Sequence, residues 1–137
     1  MKVENALYPD GARVMALMGD ASGEPIVMLN LLRFKSKAVY DDGRETSLTG
    51  LEAYQLYAGP MQKLVESQGG KFIFGGRIAG MVIGEVEQPW DICALVEYPS
   101  AAAFAKIATS PEVREIGVHR VAGLEGQLLI RVAQRPF

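Results

Sequence analysis

The apolar run from Pro25 to Phe34 constrains the fold more than any other segment of the chain. Ile26, Val27, Met28, Leu29, Leu31, Leu32 and Phe34 leave no polar parity. A strand sends alternate side chains to opposite faces of its sheet, so a strand apolar on both parities needs cover on both faces. Asn30 interrupts the run at its centre. A buried carboxamide without hydrogen-bond partners costs a few kcal/mol. Two roles are therefore open to Asn30. It is either a satisfied core amide, bonded to backbone, Gln127 or Tyr57, or a contact that orients the carbonyl or hydroxyl of a small ligand.

The flanking segments supply the rest of the architecture. Residues 9–18 read as a short amphipathic helix ended by Gly19. After the first strand, residues 36–49 are polar and carry turn chemistry at Tyr40-Asp41-Asp42-Gly43-Arg44. That connection exceeds the usual length, so it is a candidate flap over a site. Thr49 and Glu52 form a capping box that opens a large helix. Its expected stripe is Leu51, Tyr54, Ala58, Met61 and Val65, with Tyr57 and Leu64 beside it, a kink at Pro60 and an end at Gly69-Gly70. Residues 71–83 read as a long strand with a bulge at Gly75-Gly76, and residues 90–98 as a third strand. Ser100 caps a helix over 101–109, and Pro111 opens another that runs to about Val118. Residues 124–132 form the last strand.

This β-α-β-β-α-β order, with an extra N-terminal helix, predicts an α+β, ferredoxin-like fold with an antiparallel four-stranded sheet. Residues 1–24 are expected to be the N-terminal helix and linker, and residues 25–137 a single domain. Two main helices cover one sheet face only. The other face, with Val27, Leu29, Leu31, Cys93 and Leu95, is too apolar to leave in water, which predicts a homodimer packed sheet against sheet.

Composition narrows the partners. Across 137 residues the formal net charge is −2 and Lys and Arg form no block, so no positive field exists for nucleic acid. No apolar run approaches membrane-spanning length, and the N-terminus lacks the apolar stretch of a secretory signal. The one cysteine, Cys93, excludes an internal disulfide and fits a reducing cytoplasm, the expected location. With one histidine and one cysteine, no metal site and no cofactor are expected.

The order Val27-Met28-Leu29-Asn30-Leu31-Leu32-Arg33-Phe34, Ala53-Tyr54 with Tyr57, Gly69-Gly70, Gly75-Gly76, Trp90-Asp91 and Glu97-Tyr98-Pro99-Ser100 resembles the family catalogued as domain of unknown function 1330. The resemblance spans roughly residues 25–132. It implies membership of the dimeric α+β barrel superfamily, which includes cofactor-free monooxygenases, lactone isomerases, haem enzymes and plain binding proteins. The implied dimer agrees with the one argued from the apolar face. The N-terminal helix and residues 118–127 depart from a simple member.

His119 is the only histidine and the only side chain with an unperturbed pKa near neutrality. It either pairs on a helix surface with Glu115, four residues earlier, or serves as a general base at the mouth of a pocket. Tyr57 lies at the edge of its stripe, where its hydroxyl can reach a cleft. Trp90 is core or a stacking wall, Asp91 a cap or an arginine partner, and Cys93 a small core residue. Arg33, Arg77, Arg114, Arg120 and Arg131 are scattered. Each fits an ion pair, and one at a strand end can clamp a carboxylate. Residues 75–80 precede no helix and make no phosphate loop, and no Ser-His-Asp set or nucleophile elbow is present.

The expected site is a small, mostly apolar pocket between sheet and helices lined by Asn30, Tyr57, Trp90, His119, Arg120 and Gln127. In an enzyme, His119 is the candidate base, with Asn30 and Arg120 holding an oxyanion during cofactor-free oxidation or isomerisation of a small carbonyl or phenolic compound. The alternative is a non-catalytic binding or stress-associated dimer. A haem-handling protein with His119 as axial ligand is the third.

Overall fold

The computed structural model describes residues 1–134. The double-sided apolar run forms β1 (Ile26–Phe34) at the interior of a four-stranded sheet. β2 (Lys71–Arg77), β3 (Ile92–Tyr98) and β4 (Leu124–Val132) complete it in the order β2-β3-β1-β4. Every neighbouring pair is antiparallel. Thr49 caps α2 (Gly50–Ser67) through the reciprocal box: its hydroxyl accepts from Glu52 N–H, and Glu52 accepts from Thr49 N–H. α2 runs on through Pro60. Ser100 caps α3 (Ala101–Ala108), Ser110 caps α4 (Pro111–Gly123), and Asp10 caps the N-terminal α1 (Gly11–Met18). Sheet order and helix placement make this the ferredoxin-like α+β fold.

The core lies on one face of the sheet. Ile26 and Met28 of β1 and Val96 and Tyr98 of β3 pack against Met61 and Val65 of α2 and Phe104 and Ile107 of α3. Ladder register puts Asn30 on this same face, between Met28 and Leu32. The opposite parity carries Leu29, Leu31, Leu95 and Leu128, all half-buried, and the exposed Phe74 and Ile130. Cys93 also lies on that face, half-buried, rather than in the core.

α2 and α4 meet backbone to backbone. A Cβ at Gly50 would sit 2.1 Å from the Lys35 carbonyl oxygen and 2.6 Å from that of Gly123. One at Gly123 would sit 2.3 Å from the Gly50 oxygen. The close crossing rotates α2 so that Ala53 is fully buried while Leu51, expected on the stripe, is 41% exposed.

Three local expectations change. α4 extends five residues past Val118 and feeds directly into β4, because Val121, Ala122 and Gly123 are buried where α4 crosses α2. β2 ends at Arg77, which pairs with Ile92, the first residue of β3, so residues 79–83 have no strand to extend along. Its bulge falls at Ile73, between Phe72 and Phe74, rather than at Gly75-Gly76. The stretch 36–49 is held down rather than free as a flap. Ala38 and Tyr40 are buried against Ala53 and Ala122, and the Ala38 and Val39 N–H groups donate to the Leu48 and Ala122 carbonyls.

Candidate functional site

The interruption in the apolar run becomes the end of a polar relay on the helix-covered face. Asn30 Oδ1 accepts from Gln127 Nε2 at 3.0 Å, and its Nδ2 donates to the carbonyls of Met28 and Ala94 at 3.3 and 3.5 Å. Gln127 comes from β4, whose pairing with Leu32 points it to the same face. Its Oε1 accepts from Arg120 Nη1 at 2.8 Å, and Arg120 Nη2 donates to the Leu7 carbonyl. Arg120 reaches these partners because α4 continues past the predicted end and carries it in its last turn.

Three tyrosines accompany the relay. Tyr54 and Tyr57, one turn apart on α2, have ring centroids 5.5 Å apart, and Tyr54 meets Phe34 edge-on at 5.4 Å. Tyr98 ends β3 and packs edge-on against Phe104 at 4.9 Å. Desolvation pushes the pKa of all three phenols up, and a charge on Tyr57 would raise those of Tyr54 and Tyr98 further. The Arg120 guanidinium pulls Tyr54 and Tyr57 part of the way back, so its field reaches both. None of the three hydroxyls makes a hydrogen bond among the described residues. Arg120 commits two of its five N–H donors to protein acceptors. The cluster is thus rich in donors, and its phenols stay protonated at neutral pH.

Of the six residues expected to line one pocket, Asn30, Gln127 and Arg120 form one hydrogen-bonded chain, with Tyr57 within reach of its charge. The other two lie elsewhere. His119 Nδ1 is 2.6 Å from the hydroxyl of buried Tyr40, with the rings edge to face at 5.5 Å. That pairing replaces the expected one with Glu115. Arg44 lies over the other side of Tyr40, 4.6 Å from its centroid. Trp90 Nε1 donates to Asn5 Oδ1 at 2.7 Å, which ties down the N-terminal segment.

Arg33 pairs with Glu125 at 2.9 Å and Arg131 with Asp20 at 2.6 Å. Asp91 accepts from the Phe34 N–H at 2.8 Å. The sequence reading passed over Tyr54 and Tyr98 as candidates. Tyr54 stood on the expected core stripe, and the available signal for Tyr98 was its parity with Val96 on β3. Beside the relay, a groove of about 480 Å³ runs between Tyr8 and Pro9, the turn at Tyr40–Asp42 and the α3–α4 junction, and reaches Arg120. Among the described residues no three His, Cys, Asp or Glu side chains are placed to hold a metal, and no helix is long and apolar enough to cross a membrane.

An antiparallel sheet in this order, with helices on one face and a polar relay beneath them, defines a ferredoxin-like α+β domain. The chain belongs to the family described as Domain of unknown function (DUF1330), whose sequence model matches residues 44–132. It is similar to a protein of unknown function from Rhodopseudomonas palustris, at 34% identity and a TM-score of 0.85 over 97% of this chain and 100% of that one. A crystal structure of the methylated form of that protein gives 36% identity and a TM-score of 0.86 over 96% of each chain. A hydroxynitrile lyase from Passiflora edulis shares the fold at 14% identity, with a TM-score of 0.59 over 84% of this chain and 98% of that one. No curated protein matches the chain.

Proposed function

We propose that this chain binds a small carbonyl or phenolic compound between its sheet and helices α2 and α4, and does so as a homodimer. The observation that carries the reading is the pair of phenols, Tyr54 and Tyr57, in the field of Arg120, with Tyr98 next to Tyr57 and the apolar rings of Phe34 and Phe104 against them. No side-chain oxygen is both buried and unpaired among the described residues, so these hydroxyls reach solvent and are free to donate to a ligand oxygen. Binding is favoured over catalysis because the cluster lacks a base. His119 is engaged with Tyr40, and phenols with raised pKa values do not take protons at neutral pH.

Calorimetry with acetophenone as the carbonyl probe and phenol as the phenolic one tests this. Saturable binding of one of them is expected. Tyr57→Phe should weaken it by about 3- to 10-fold, the worth of one hydrogen bond. The melting temperature should hold, because the lost hydroxyl has no protein partner. Absence of binding by both probes refutes the reading, and a Tyr57→Phe variant that binds both as the parent does removes Tyr57 from the site.

The half-buried apolar parity of the sheet supports the dimer. Leu29 lies at its centre, paired with Leu95 on one side and Ile130 on the other. A sheet-to-sheet interface should bury more than about 1,000 Å² in total. Light scattering at micromolar concentration should return twice the chain mass, and Leu29→Arg should halve it with circular dichroism unchanged. A monomeric parent overturns the dimer.

A further inference from the structure

Residues 5–9 cross the Arg120 end of the relay in a way that side-chain packing alone does not require. Ala6 pairs with Gln127 along the outer edge of β4, N–H to O in both directions at 3.1 and 3.0 Å. Asn5 is hooked by Trp90, and Leu7 gives its carbonyl to Arg120. Gly126 makes room for the crossing, since a Cβ there would stand 2.6 Å from that of Asn5. Leu7 alone in this segment is half-buried, while its neighbours are exposed. The segment is therefore a strap of exposed chain held at three points, and the last of them, Leu7, sits on the only cation in the relay.

A peptide carbonyl is a weak partner for a guanidinium. A carboxylate accepts two parallel N–H bonds from it and adds its charge. The groove beside the strap gives an approach to Arg120 from solvent, with Tyr8 and Pro9 on one wall. Its charged lining is mixed. Asp41 and Asp42 line it together with Arg114 and Arg120, and Asp42 is already bound through both oxygens by Arg44. We infer that the ligand carries a carboxylate, and that the Leu7 carbonyl holds the carboxylate's place on Arg120 until the ligand displaces the strap. The inference rests on the binding site proposed above and adds the ligand's charge and its gate.

A strap that must lift lowers apparent affinity by the fraction of time it is open, so loosening it tightens binding. Benzoate serves as the probe, measured by calorimetry on the full chain. Gly126→Ala, which pushes Asn5 away, and Asn5→Ala, which unhooks Trp90, are each expected to bind benzoate at least about threefold tighter than the parent. Asn5→Ala alters an exposed residue and keeps the test open should Gly126→Ala fail to fold. Arg120→Gln should lose benzoate at least about tenfold, and by a larger factor than it loses acetophenone. Trp90, the only tryptophan, should change emission when benzoate is added to the parent but not to Asn5→Ala. Equal or weaker benzoate binding in both strap variants overturns the gate. Acetophenone binding without benzoate binding in any variant overturns the carboxylate and leaves the site standing. Failure of both probes removes the site itself.

Discussion

Gly50→Val should destabilise the protein by at least about 3 kcal/mol and lower its melting temperature by roughly 10 °C. The first atom of any side chain at Gly50 meets the Lys35 and Gly123 carbonyl oxygens at 2.1 and 2.6 Å, and both are main-chain atoms. No rotamer relieves that contact, so α2 must move off α4 or unwind its first turn. Gly117, inside α4 with open space around its missing Cβ, is the control. Gly117→Ala should be neutral or slightly stabilising, since alanine favours a helix by up to about 1 kcal/mol over glycine. Equal melting temperatures for Gly50→Val and the parent would show that the helices do not meet as described.

Asn30→Leu is expected to lower the unfolding free energy by roughly 1–3 kcal/mol. Were Asn30 only a ligand contact, the same change would leave stability level or raise it. The first outcome is expected because the carboxamide has protein partners on both sides: Gln127 donates to it, and it donates to the Met28 and Ala94 carbonyls. Leucine strands the Gln127 amide and frees the partner that holds Arg120. Asn30→Asp should cost at least as much, because its second oxygen would face the Met28 and Ala94 carbonyls that Nδ2 now donates to. Chemical denaturation of the two variants measures this, and a leucine variant as stable as the parent would return Asn30 to the ligand.

The fold was legible wherever the cause was local. The unbroken apolar run of β1, the Thr49–Glu52 box and the hydroxyl caps at Ser100 and Ser110 are set by residues close in sequence, so their elements begin where the pattern puts them. α4 was cut short because its apolar residues follow no stripe and Gly117 interrupts them. It persists through contact with α2. The bulge at Ile73 depends on the facing strand β3.

The site was legible to the same extent. An amide inside an apolar run announces itself, and Gln127 was among its nameable partners. Tyr40 is 79 residues from His119, and Leu7 is 113 from Arg120. Glu115 stood only four residues from His119 in the sequence, and pairing at that range is worth too little to compete with a buried phenol.

The glycine contact between α2 and α4 also bears on affinity. Gly50 lies one turn before Tyr54, and Gly123 lies one turn after Arg120. The distance between the Tyr54 and Tyr57 phenols and the guanidinium is therefore set by main chain resting on main chain. The donors are preorganised. The entropy of aligning them is spent when the chain folds, and little remains to be lost when a ligand arrives. In the proposed site, affinity would depend on two residues that touch no ligand and have no side chains at all.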